Sequence, residues 1–445
     1  MKTTSERSEQ TAKKAGLWSH VVDLRRPFDI EGIPVSLYAL NAILAVAILA
    51  LGQLDVAGVA GAFSVLWTIG LFFFAIGERV RILKALLGGG LVVAWAGAAF
   101  IARWGLIGPE EVRFLQAQII DNRFLYFVLA ALVTSSVLSV DATVLRKALI
   151  SYAPIVLGGL ALAAVFGLTA GTLAGIPADR VVTMYFLPIM GGGAGGGALP
   201  MSEVFGDVTG GDSLEYFNYA IGVLTLGNIT AILIAALIYQ IGRRLRSLSG
   251  DGKLVRGEEQ FPVGTEAVDD TAINTHSAMI FVVCILLAGI VLATFTPLHF
   301  FAWVTIIAVI LNLSRTVSAA VRASLRKLSA WGLRAFLVTI LVAFGLTADF
   351  DVIFGLFTPG NLLVIVSIVS GAALGAGITS HFVKLYPLEG ALTGGLCMAD
   401  AGGSGDLQVL SAARRIGLYP YSQLSSRVGG AFVLVLANYL FAIFS

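Results

Sequence analysis

Long apolar stretches separated by short polar ones run along the chain from about residue 34 onwards. A helix needs roughly 20 mostly apolar residues to cross a bilayer, so each long stretch predicts a membrane-spanning helix. Eleven stretches fit, at about 34–53, 57–77, 86–104, 124–140, 152–174, 218–241, 278–296, 299–313, 333–348, 361–383 and 424–444. The pattern therefore predicts an all-α polytopic membrane protein with about 11 transmembrane helices.

Two further stretches, 179–206 and 386–413, are rich in glycine and interrupted by Pro, Asp and Glu. The first holds six glycines in the seven residues Gly191–Gly197, and each glycine destabilises a continuous helix by about 1 kcal/mol relative to alanine. We therefore predict two re-entrant hairpins with glycines at their tips. Irregular backbone at membrane depth must be satisfied by protein or by a water-filled cavity, so the two tips are expected to meet around a polar site.

Composition excludes a water-soluble enzyme, because only 13% of the 445 residues are charged against roughly 25% in soluble proteins. The net charge of +2 is spread over loops, which gives no sign of a nucleic-acid partner. The only cysteines are Cys284 and Cys397, so neither a disulfide framework nor a C-x-x-C metal motif is expected. Residues 1–33 are polar and lack an apolar signal-peptide core, which predicts a retained cytoplasmic tail.

The positions of the basic residues predict the orientation of the chain. Of the 29 Lys and Arg residues, 24 fall in segments on the same side as the N-terminus. Four fall on the other side, and Arg427 is left inside a span. Because cytoplasmic loops carry the excess of Lys and Arg, the N-terminus is predicted to be cytoplasmic and the C-terminus periplasmic or extracellular.

The chain carries matching landmarks 210 residues apart. Gly192-Gly193-Ala194-Gly195 and Gly402-Gly403-Ser404-Gly405 are both G-G-x-G, and the same offset relates Asp141 to Asp351. This predicts a duplication with five spans in each copy, so the second copy is inverted. The predicted organisation is an extra span at 34–53, a first repeat at 57–241, a cytoplasmic linker at 242–277 and a second repeat at 278–445. Inverted repeats with interrupted helices are typical of secondary transporters, which bind substrate near the midplane of the membrane.

Three charged residues near the second glycine motif are candidates for the site. Arg427 lies in Ser425-Ser426-Arg427-Val428-Gly429-Gly430 and could hold a carboxylate through two parallel hydrogen bonds. A snorkelling arginine at a helix end is the alternative. Asp400 and Asp406 flank the motif, and carboxylates within a membrane usually mark an ion or proton route. For Asp406 we expect instead that it caps a helix over 406–413.

The remaining charged residues receive ordinary structural interpretations. Glu203, Asp207 and Glu215 are expected to be surface charges on the outer side. A cytoplasmic amphipathic helix at the membrane interface is predicted from the basic residues Arg315, Arg322, Arg326 and Lys327, which alternate with apolar ones. The pattern G-x-G-x-x-A over Gly193–Ala198 has no βαβ context, so nucleotide binding is not expected.

The two G-G-x-G motifs, the run Cys397–Asp406 and the run Ser425–Phe432 together resemble the bacterial 2-hydroxycarboxylate transporter family. Its members include sodium–citrate and sodium–malate symporters, and the resemblance covers nearly the whole chain. It implies a homodimer in the bacterial inner membrane, whose protomers each combine a scaffold with a mobile transport domain. The transport domain is expected to move like an elevator.

The resemblance also implies roles for individual residues. Arg427 matches the arginine that binds a substrate carboxylate. Contacts between the hairpin tips and the substrate are implied for Ser404, Gly403 and Gly195, with Ala194 and Ala401 at the neighbouring substrate positions. Sodium ligands are implied at Gly195, Cys397 and Met398 through their carbonyls, at Ser426 through its hydroxyl, and at Asp400.

Three residues depart from the citrate-type pattern. Ala194 and Asp400 stand where that pattern has Asn, and Ala401 stands where it has a second Arg. Because one guanidinium is lost, a dicarboxylate such as malate is expected rather than citrate. The expected function is cation-coupled symport with Na+, or H+, as the coupling ion. Transport of citrate, precursor–product exchange, or a role as the membrane subunit of a sodium-pumping decarboxylase are the alternatives. The chain itself is not expected to be an enzyme.

Overall fold

A computed structural model describes most of the chain and shows an almost entirely helical protein. The residues described are 29–30, 33–86, 89–121, 124–138, 152–256, 274–332 and 336–444. The landmark Asp141, most of the N-terminal tail and part of the cytoplasmic linker lie outside them. Within the described ranges the single sheet is a pair of antiparallel two-residue strands, β1 (Asp29–Ile30) and β2 (Ile33–Pro34).

Apolar helices make up nearly all of the described residues. In chain order the α-helices are α1 (Val35–Ala50), α2 (Leu54–Arg79), α3 (Arg81–Leu86), α4 (Gly90–Arg103), α5 (Pro109–Gln116), α6 (Phe124–Leu138), α7 (Ala153–Ala174), α8 (Ala178–Arg180), α9 (Leu187–Met190), α10 (Leu199–Thr209), α11 (Ser213–Arg244), α12 (Thr275–Ala293), α13 (Phe300–Leu313), α14 (Ala319–Gly332), α15 (Val338–Gly345), α16 (Phe350–Gly355), α17 (Pro359–Phe382), α18 (Pro387–Gly390), α19 (Gly403–Ala412), α20 (Tyr419–Leu424) and α21 (Gly430–Phe444). Wider π-helical turns lie at Ala117–Asp121, Val181–Phe186, Ala194–Ala198, Ala391–Gly395 and Ser425–Gly429, and 3₁₀ turns at Arg246–Leu248, Leu396–Met398 and Ile416–Leu418.

Each of the eleven predicted spans overlaps a helix, which confirms the all-α class. Six helical stretches in the described residues are long and apolar enough to cross a membrane by themselves. They are Leu54–Arg79, Ala153–Ala174, Ser213–Arg244, Thr275–Ala293, Pro359–Phe382 and Ile416–Phe444. Three shorter apolar helices, α1, α4 and α13, add to them. The protein is therefore a multi-pass membrane protein, and the count of eleven spans stays a prediction.

The chain divides into two compact units. The first combines Met1–Asn122 with Val338–Thr347. Its helices approach closely through small residues, because a methyl group at Gly77 would lie 2.8 Å from the Cα atom of Gly90. Small residues at such crossings let helices pack backbone to backbone, which is how membrane helices gain contact area without a hydrophobic driving force.

The second unit combines Arg123–Leu337 with Ala348–Ser445. At its centre α7 packs along α17, and glycines line the contact. A methyl group at Gly371 would lie 2.9 Å from the Cα atom of Ala163, and Gly375 lies against the carbonyl of Gly158. This unit also contains both glycine-rich stretches that the sequence singles out.

Part of the linker that follows α11 is fastened to the start of the second glycine-rich stretch. Val255 forms an isolated antiparallel bridge with Leu385. The fully buried carboxylate of Glu389 accepts hydrogen bonds from the Ser249 hydroxyl (3.0 Å) and from the Gly250 N–H (2.9 Å). Arg415, which follows the same stretch, lies 3.5 Å from Glu389. Glu389 therefore joins the linker to both ends of this stretch.

Candidate functional site

Both glycine-rich stretches are helices interrupted by a short irregular segment. The first runs from α8 to α9, stops at Gly191–Gly193 and resumes in the π-helical turn before α10. The second stops at residues 399–402 and resumes as α19. We call these segments break 1 (Gly191–Gly193) and break 2 (Ala399–Gly402). Their backbones adopt positive φ at Gly192 (81°), Gly193 (105°) and Gly402 (84°), a region that side chains disfavour.

The two breaks touch each other through their backbones. A methyl group at Gly193 would lie 2.8 Å from the Cα atom of Gly402 and 2.9 Å from the carbonyl oxygen of Ala401. One at Gly402 would lie 3.3 Å from the carbonyl oxygen of Gly192. Glycine is therefore required twice over, for conformation and for space. The structure brings the two G-G-x-G motifs together, as the sequence predicts.

Arg427 lies beside this junction, in the π-helical turn Ser425–Gly429 between α20 and α21. The carbonyl of its neighbour Ser426 lies against Gly192. The Arg427 side chain is largely buried and interacts electrostatically with Asp406 and Tyr419. A position in a buried turn next to both breaks favours the binding-site interpretation over a snorkelling residue at a helix end.

Two buried carboxylates and a buried thiol lie close together at break 2. Single ligand atoms of Cys397, Asp400 and Asp406 lie within 4.8 Å of one another, and all three residues are 0% exposed. Asp400 Oδ1 accepts the Gly402 N–H (2.8 Å), and Asp406 Oδ2 accepts hydrogen bonds from Ser426 (3.2 Å) and Gln423. Within the described residues, Asp400 Oδ2 and Asp406 Oδ1 have no hydrogen-bond partner. Such oxygens are costly to bury uncompensated, and either a hard cation or a proton shared by the two carboxyl groups would compensate them.

The expectation that Asp406 caps a helix is wrong. Helix α19 begins at Gly403 with Gly402 at the cap position, so Asp406 lies inside the helix. The positive φ of Gly402 and its hydrogen bond to Asp400 place the start of the helix three residues earlier than predicted. Asp406 is thereby free to point into the cluster.

The other predicted site residues lie at or next to the breaks. Ala194 and Gly195 follow break 1, Ala401 belongs to break 2, and Gly403 and Ser404 open α19. The side chain of Ser404 is outside the described part of the structure. Met398 precedes break 2 and is buried against Gly429, where a methyl group would lie 2.8 Å from its Cε atom. The predicted substrate and sodium residues thus belong to one neighbourhood.

Asn228 is a buried residue of this neighbourhood that the sequence interpretation missed. Its Oδ1 accepts the Ala401 N–H (3.1 Å), and its Nδ2 donates to Gln408 (3.1 Å). Asn228 therefore links α11 to break 2. The sequence feature that could have identified it is a polar amide in the middle of the apolar stretch 218–241, since buried amides in membrane helices need hydrogen-bond partners.

The basic segment forms a helix, α14, one face of which packs into the protein, and its position at the membrane interface stays a prediction. Arg322, on α14, is 8% exposed and donates to the carbonyl of Val317 (3.1 Å) and to Asn312 (3.1 Å). Ser135 on α6 donates to the carbonyl of Leu325 (3.1 Å), so α14 is fixed to α6.

This packing brings a second arginine of α14 towards the site. Arg326 is partly buried and interacts electrostatically with Arg427, whereas its neighbour Lys327 is exposed. Helix α6 itself contacts the segments that carry Gly195 and Arg427. Sequence patterns predicted only an interfacial helix around Arg326, because its proximity to Arg427 depends on tertiary packing.

The three acidic residues expected on the outer surface differ in their surroundings. Glu203 is 7% exposed, so its assignment to the surface is wrong; it lies on α10, whose first turns are buried. The side chain of Asp207 is half exposed and pairs with His299 at 2.8 Å. Glu215 is exposed, as expected.

Apolar helices surround two helix breaks that adjoin a partly buried arginine and two buried carboxylates. Interrupted helices that meet at such a charged site are the binding-site architecture of secondary transporters. Comparison with known proteins identifies the kind. The family model described as "2-hydroxycarboxylate transporter family" matches residues 30–439. The chain belongs to this family, and it is a transporter rather than an enzyme.

The alignments with individual relatives cover nearly the whole length of both proteins. The citrate/sodium symporter of Salmonella typhimurium is 37% identical over 432 residues, which are 94% of this chain and 96% of the relative. The citrate/malate-proton symporter of Bacillus subtilis is 28% identical over 410 residues, 91% of this chain and 90% of the relative. The Na(+)-malate symporter of Bacillus subtilis is 26% identical over 424 residues, 94% of both chains. Relatives therefore differ in both substrate and coupling ion.

Proposed function

We propose that this protein is a secondary active symporter that carries a small 2-hydroxy dicarboxylate such as malate together with a cation, and that this cation is Na+. The observation that carries the proposal is the junction of break 1 and break 2 beside Arg427. The first N–H groups of a helix after a break can bind an anion and the last carbonyls before a break can bind a cation, and the arginine supplies charge.

Arg427 would anchor one substrate carboxylate. A guanidinium offers a planar fork of donors that matches the two carboxylate oxygens. The N–H groups that open α19, at Gly403 and Ser404, point along a helix N-terminus, where negative charge is favoured. Gly195, Ala194 and Ala401 line the remaining backbone of the junction and leave room for the substrate, since none brings a bulky side chain.

Arg326 would serve the second carboxylate. Two guanidinium groups that repel each other in a largely buried region need an anion between them, and Asp406 supplies only one charge. A dianion that bridges Arg326 and Arg427 meets this need. Arg326 also offsets the absence of an arginine at Ala401, where the citrate-type pattern has one.

The cluster under break 2 would hold the coupling cation. The oxygens of Asp400 and Asp406 that lack partners are the hard ligands that Na+ prefers. Ser426 and the carbonyls of Gly195, Cys397 and Met398 are additional candidate ligands from the same neighbourhood. A cation there would compensate carboxylates that otherwise stand close to an anionic substrate.

Citrate is the second candidate substrate. It is favoured by the higher overall identity to citrate/sodium symporters, 37% against 26% for the Na(+)-malate symporter. Malate is favoured by the number of guanidinium groups, because Arg326 and Arg427 match two substrate carboxylates. A third substrate carboxylate would lack such a partner, since Ala401 stands where the citrate-type pattern has an arginine.

The proposed mode of transport is an elevator. The order of elements supports two inverted repeats, because α7, the first broken helix and α11 are followed in the second half by α17, the second broken helix and α20–α21. In this proposal the broken helices are re-entrant hairpins in a mobile transport domain, and two protomers associate through scaffolds in the bacterial inner membrane. The N-terminus would be cytoplasmic and the C-terminus periplasmic. Precursor–product exchange uses the same site and differs in requiring a counter-substrate.

The test is competition for binding and transport by the purified protein. Proteoliposomes that contain no substrate inside receive labelled malate outside, with and without an inward Na+ gradient. We expect accumulation only with the gradient, and stronger inhibition by unlabelled malate than by citrate. Uptake that requires internal carboxylate but no cation would establish exchange instead. Stronger competition by citrate would overturn the assignment of a dicarboxylate.

A further inference from the structure

A cavity of about 460 Å³ lies at one end of the second unit, away from the helix breaks. Its walls come from the base of the first broken helix, from the start of α11 and from the segment before α17. The lining includes Arg180, Tyr219, Asp212, Glu215 and Asn361. None of these residues belongs to the proposed transport site.

The cavity presents one positive charge and two negative charges that do not pair with each other. None of the ion pairs among the described residues joins Arg180 to Asp212 or Glu215. Arg180 lies over the Tyr219 ring, 5.8 Å from its centroid. Asp212 uses only Oδ1 to cap α11, through the N–H groups of Leu214 (2.8 Å) and Glu215 (3.3 Å). Opposite charges that face one space without pairing leave room for a ligand that carries both.

Two neutral groups of the cavity already donate hydrogen bonds within the protein. Tyr219 donates to the hydroxyl of Tyr185 (2.6 Å), and the Asn361 amide donates to the carbonyl of Gly355 (2.9 Å). Arg180 is therefore the charged donor that the lining offers to an anionic group, in addition to the second N–H of the Asn361 amide, while Glu215 and Asp212 Oδ2 remain as acceptors. A free dicarboxylate would meet two carboxylates and one guanidinium, which disfavours a second substrate site.

The position of the cavity along the helices matches the level of lipid headgroups. Long apolar helices end or begin beside it: α7 ends at Ala174, α11 begins at Ser213 and α17 begins at Pro359. Large apolar side chains next to these ends are exposed, namely Leu173 (78%), Phe354 (66%) and Phe357 (57%). Exposed apolar side chains at the end of a membrane helix lie against acyl chains, and charged groups at that level meet headgroups.

We propose that this cavity binds the headgroup of a zwitterionic phospholipid that carries a primary ammonium group, the phosphatidylethanolamine class. The phosphodiester pairs with Arg180, and the ammonium group donates to Glu215 and Asp212. The acyl chains lie along the exposed apolar side chains outside. A quaternary ammonium group cannot donate hydrogen bonds, so a choline headgroup lacks the second half of this recognition.

The test measures lipid binding to the purified protein in detergent by native mass spectrometry. Dioleoyl-phosphatidylethanolamine, dioleoyl-phosphatidylcholine and soluble phosphoethanolamine are added separately. We expect the ethanolamine lipid to bind about tenfold more tightly than the choline lipid, as for one charge-assisted hydrogen-bonded contact. Soluble phosphoethanolamine is expected to bind more weakly than the lipid, because it lacks acyl chains.

Variants separate the two halves of the headgroup site. Glu215→Gln should remove the preference for ethanolamine over choline, and Arg180→Gln should weaken binding of both lipids. Asp179→Asn, an exposed neighbour that does not line the cavity, is the matched control and should change neither. Equal affinity of the wild-type protein for both lipids would overturn the proposal. So would a Glu215→Gln protein that keeps its preference, or equally tight binding of soluble phosphoethanolamine. The readout does not depend on transport, so it stands apart from the proposed symport.

Discussion

Replacement of Gly193 by alanine tests whether the junction of the two breaks is built as described. At φ 105° and ψ 178° the residue occupies a region of backbone conformation that is essentially restricted to glycine, and a side chain there costs about 1–3 kcal/mol. The added methyl group would lie 2.8 Å from the Cα atom of Gly402 and 2.9 Å from the Ala401 carbonyl oxygen. Both are backbone atoms, so relief requires the two breaks to separate, at a further cost of about 1–3 kcal/mol.

The combined destabilisation of about 2–6 kcal/mol is a large part of the 5–15 kcal/mol that separates a typical folded domain from its unfolded state. For a chain of 445 residues we expect Gly193→Ala to lower the Tm of the purified protein by about 2–6 °C. We also expect malate to raise the Tm of the wild type, and Gly193→Ala to abolish that rise. The assay is thermal unfolding in detergent, followed by intrinsic fluorescence.

Gly196→Ala is the matched control, because nothing lies within 4 Å of the position of its methyl group and its φ is not positive. Alanine there also removes the entropic penalty of glycine in a helical segment. Its Tm and its response to malate should equal or exceed those of the wild type. If Gly193→Ala behaves like Gly196→Ala, the backbone contact between the two breaks is refuted.

Three further substitutions test the surroundings of the site. Arg326→Gln should raise the Kd for malate about 10–100-fold, as expected for loss of a charge-assisted contact, and leave the Kd for the monocarboxylate lactate unchanged. Lys327→Gln, at an exposed neighbour, should alter neither Kd in equilibrium binding. Equal effects of Arg326→Gln on malate and lactate would show that Arg326 does not belong to the site. Asp400→Ala, which removes both side-chain oxygens, should abolish the Na+ dependence of malate uptake in a Na+ titration at fixed pH, and retention of full Na+ dependence would show that the cation binds elsewhere. Glu389→Ala removes the fully buried acceptor of Ser249 and Gly250 and one of the two acidic partners of Arg415, and should lower the free energy of unfolding by about 1–3 kcal/mol. Asp251→Asn, at the other acidic partner of Arg415, changes a side chain that is 90% exposed and should cost under about 1 kcal/mol. Chemical denaturation compares the last pair, and equal losses would contradict the role of Glu389.

Apolar length and glycine content predicted most of the fold, because both act locally along the chain. Each predicted span overlaps a helix, and both glycine-rich stretches are broken where the G-G-x-G motifs fall. The helix limits were less predictable. The last predicted span begins at residue 424, yet α21 starts at Gly430 after the wide turn that holds Arg427. Such a turn depends on packing against Gly191 and Gly192, which no local pattern encodes.

The candidate site was predictable where residue chemistry alone marks it, as for Arg427 and Asp400. Asp406 was misassigned because an acid near a predicted helix start is usually a cap, whereas the positive φ of Gly402 moved that start. Asn228 and Arg326 were missed because their roles come from contacts across more than 100 residues of sequence, or from a helix that folds back onto α6. Glu203 was assigned to the surface by charge alone, and its burial depends on the same tertiary packing.

The most direct test of the central claim is the initial rate of labelled malate uptake into proteoliposomes under an inward Na+ gradient, measured side by side for the wild type, Arg427→Ala and the control Arg414→Gln. Arg414 lies over Tyr239, outside the junction of the breaks. The account predicts uptake by the wild type and by Arg414→Gln, and loss of uptake in Arg427→Ala with the folded protein retained. Undiminished uptake by Arg427→Ala would contradict the assignment of Arg427 as the substrate anchor.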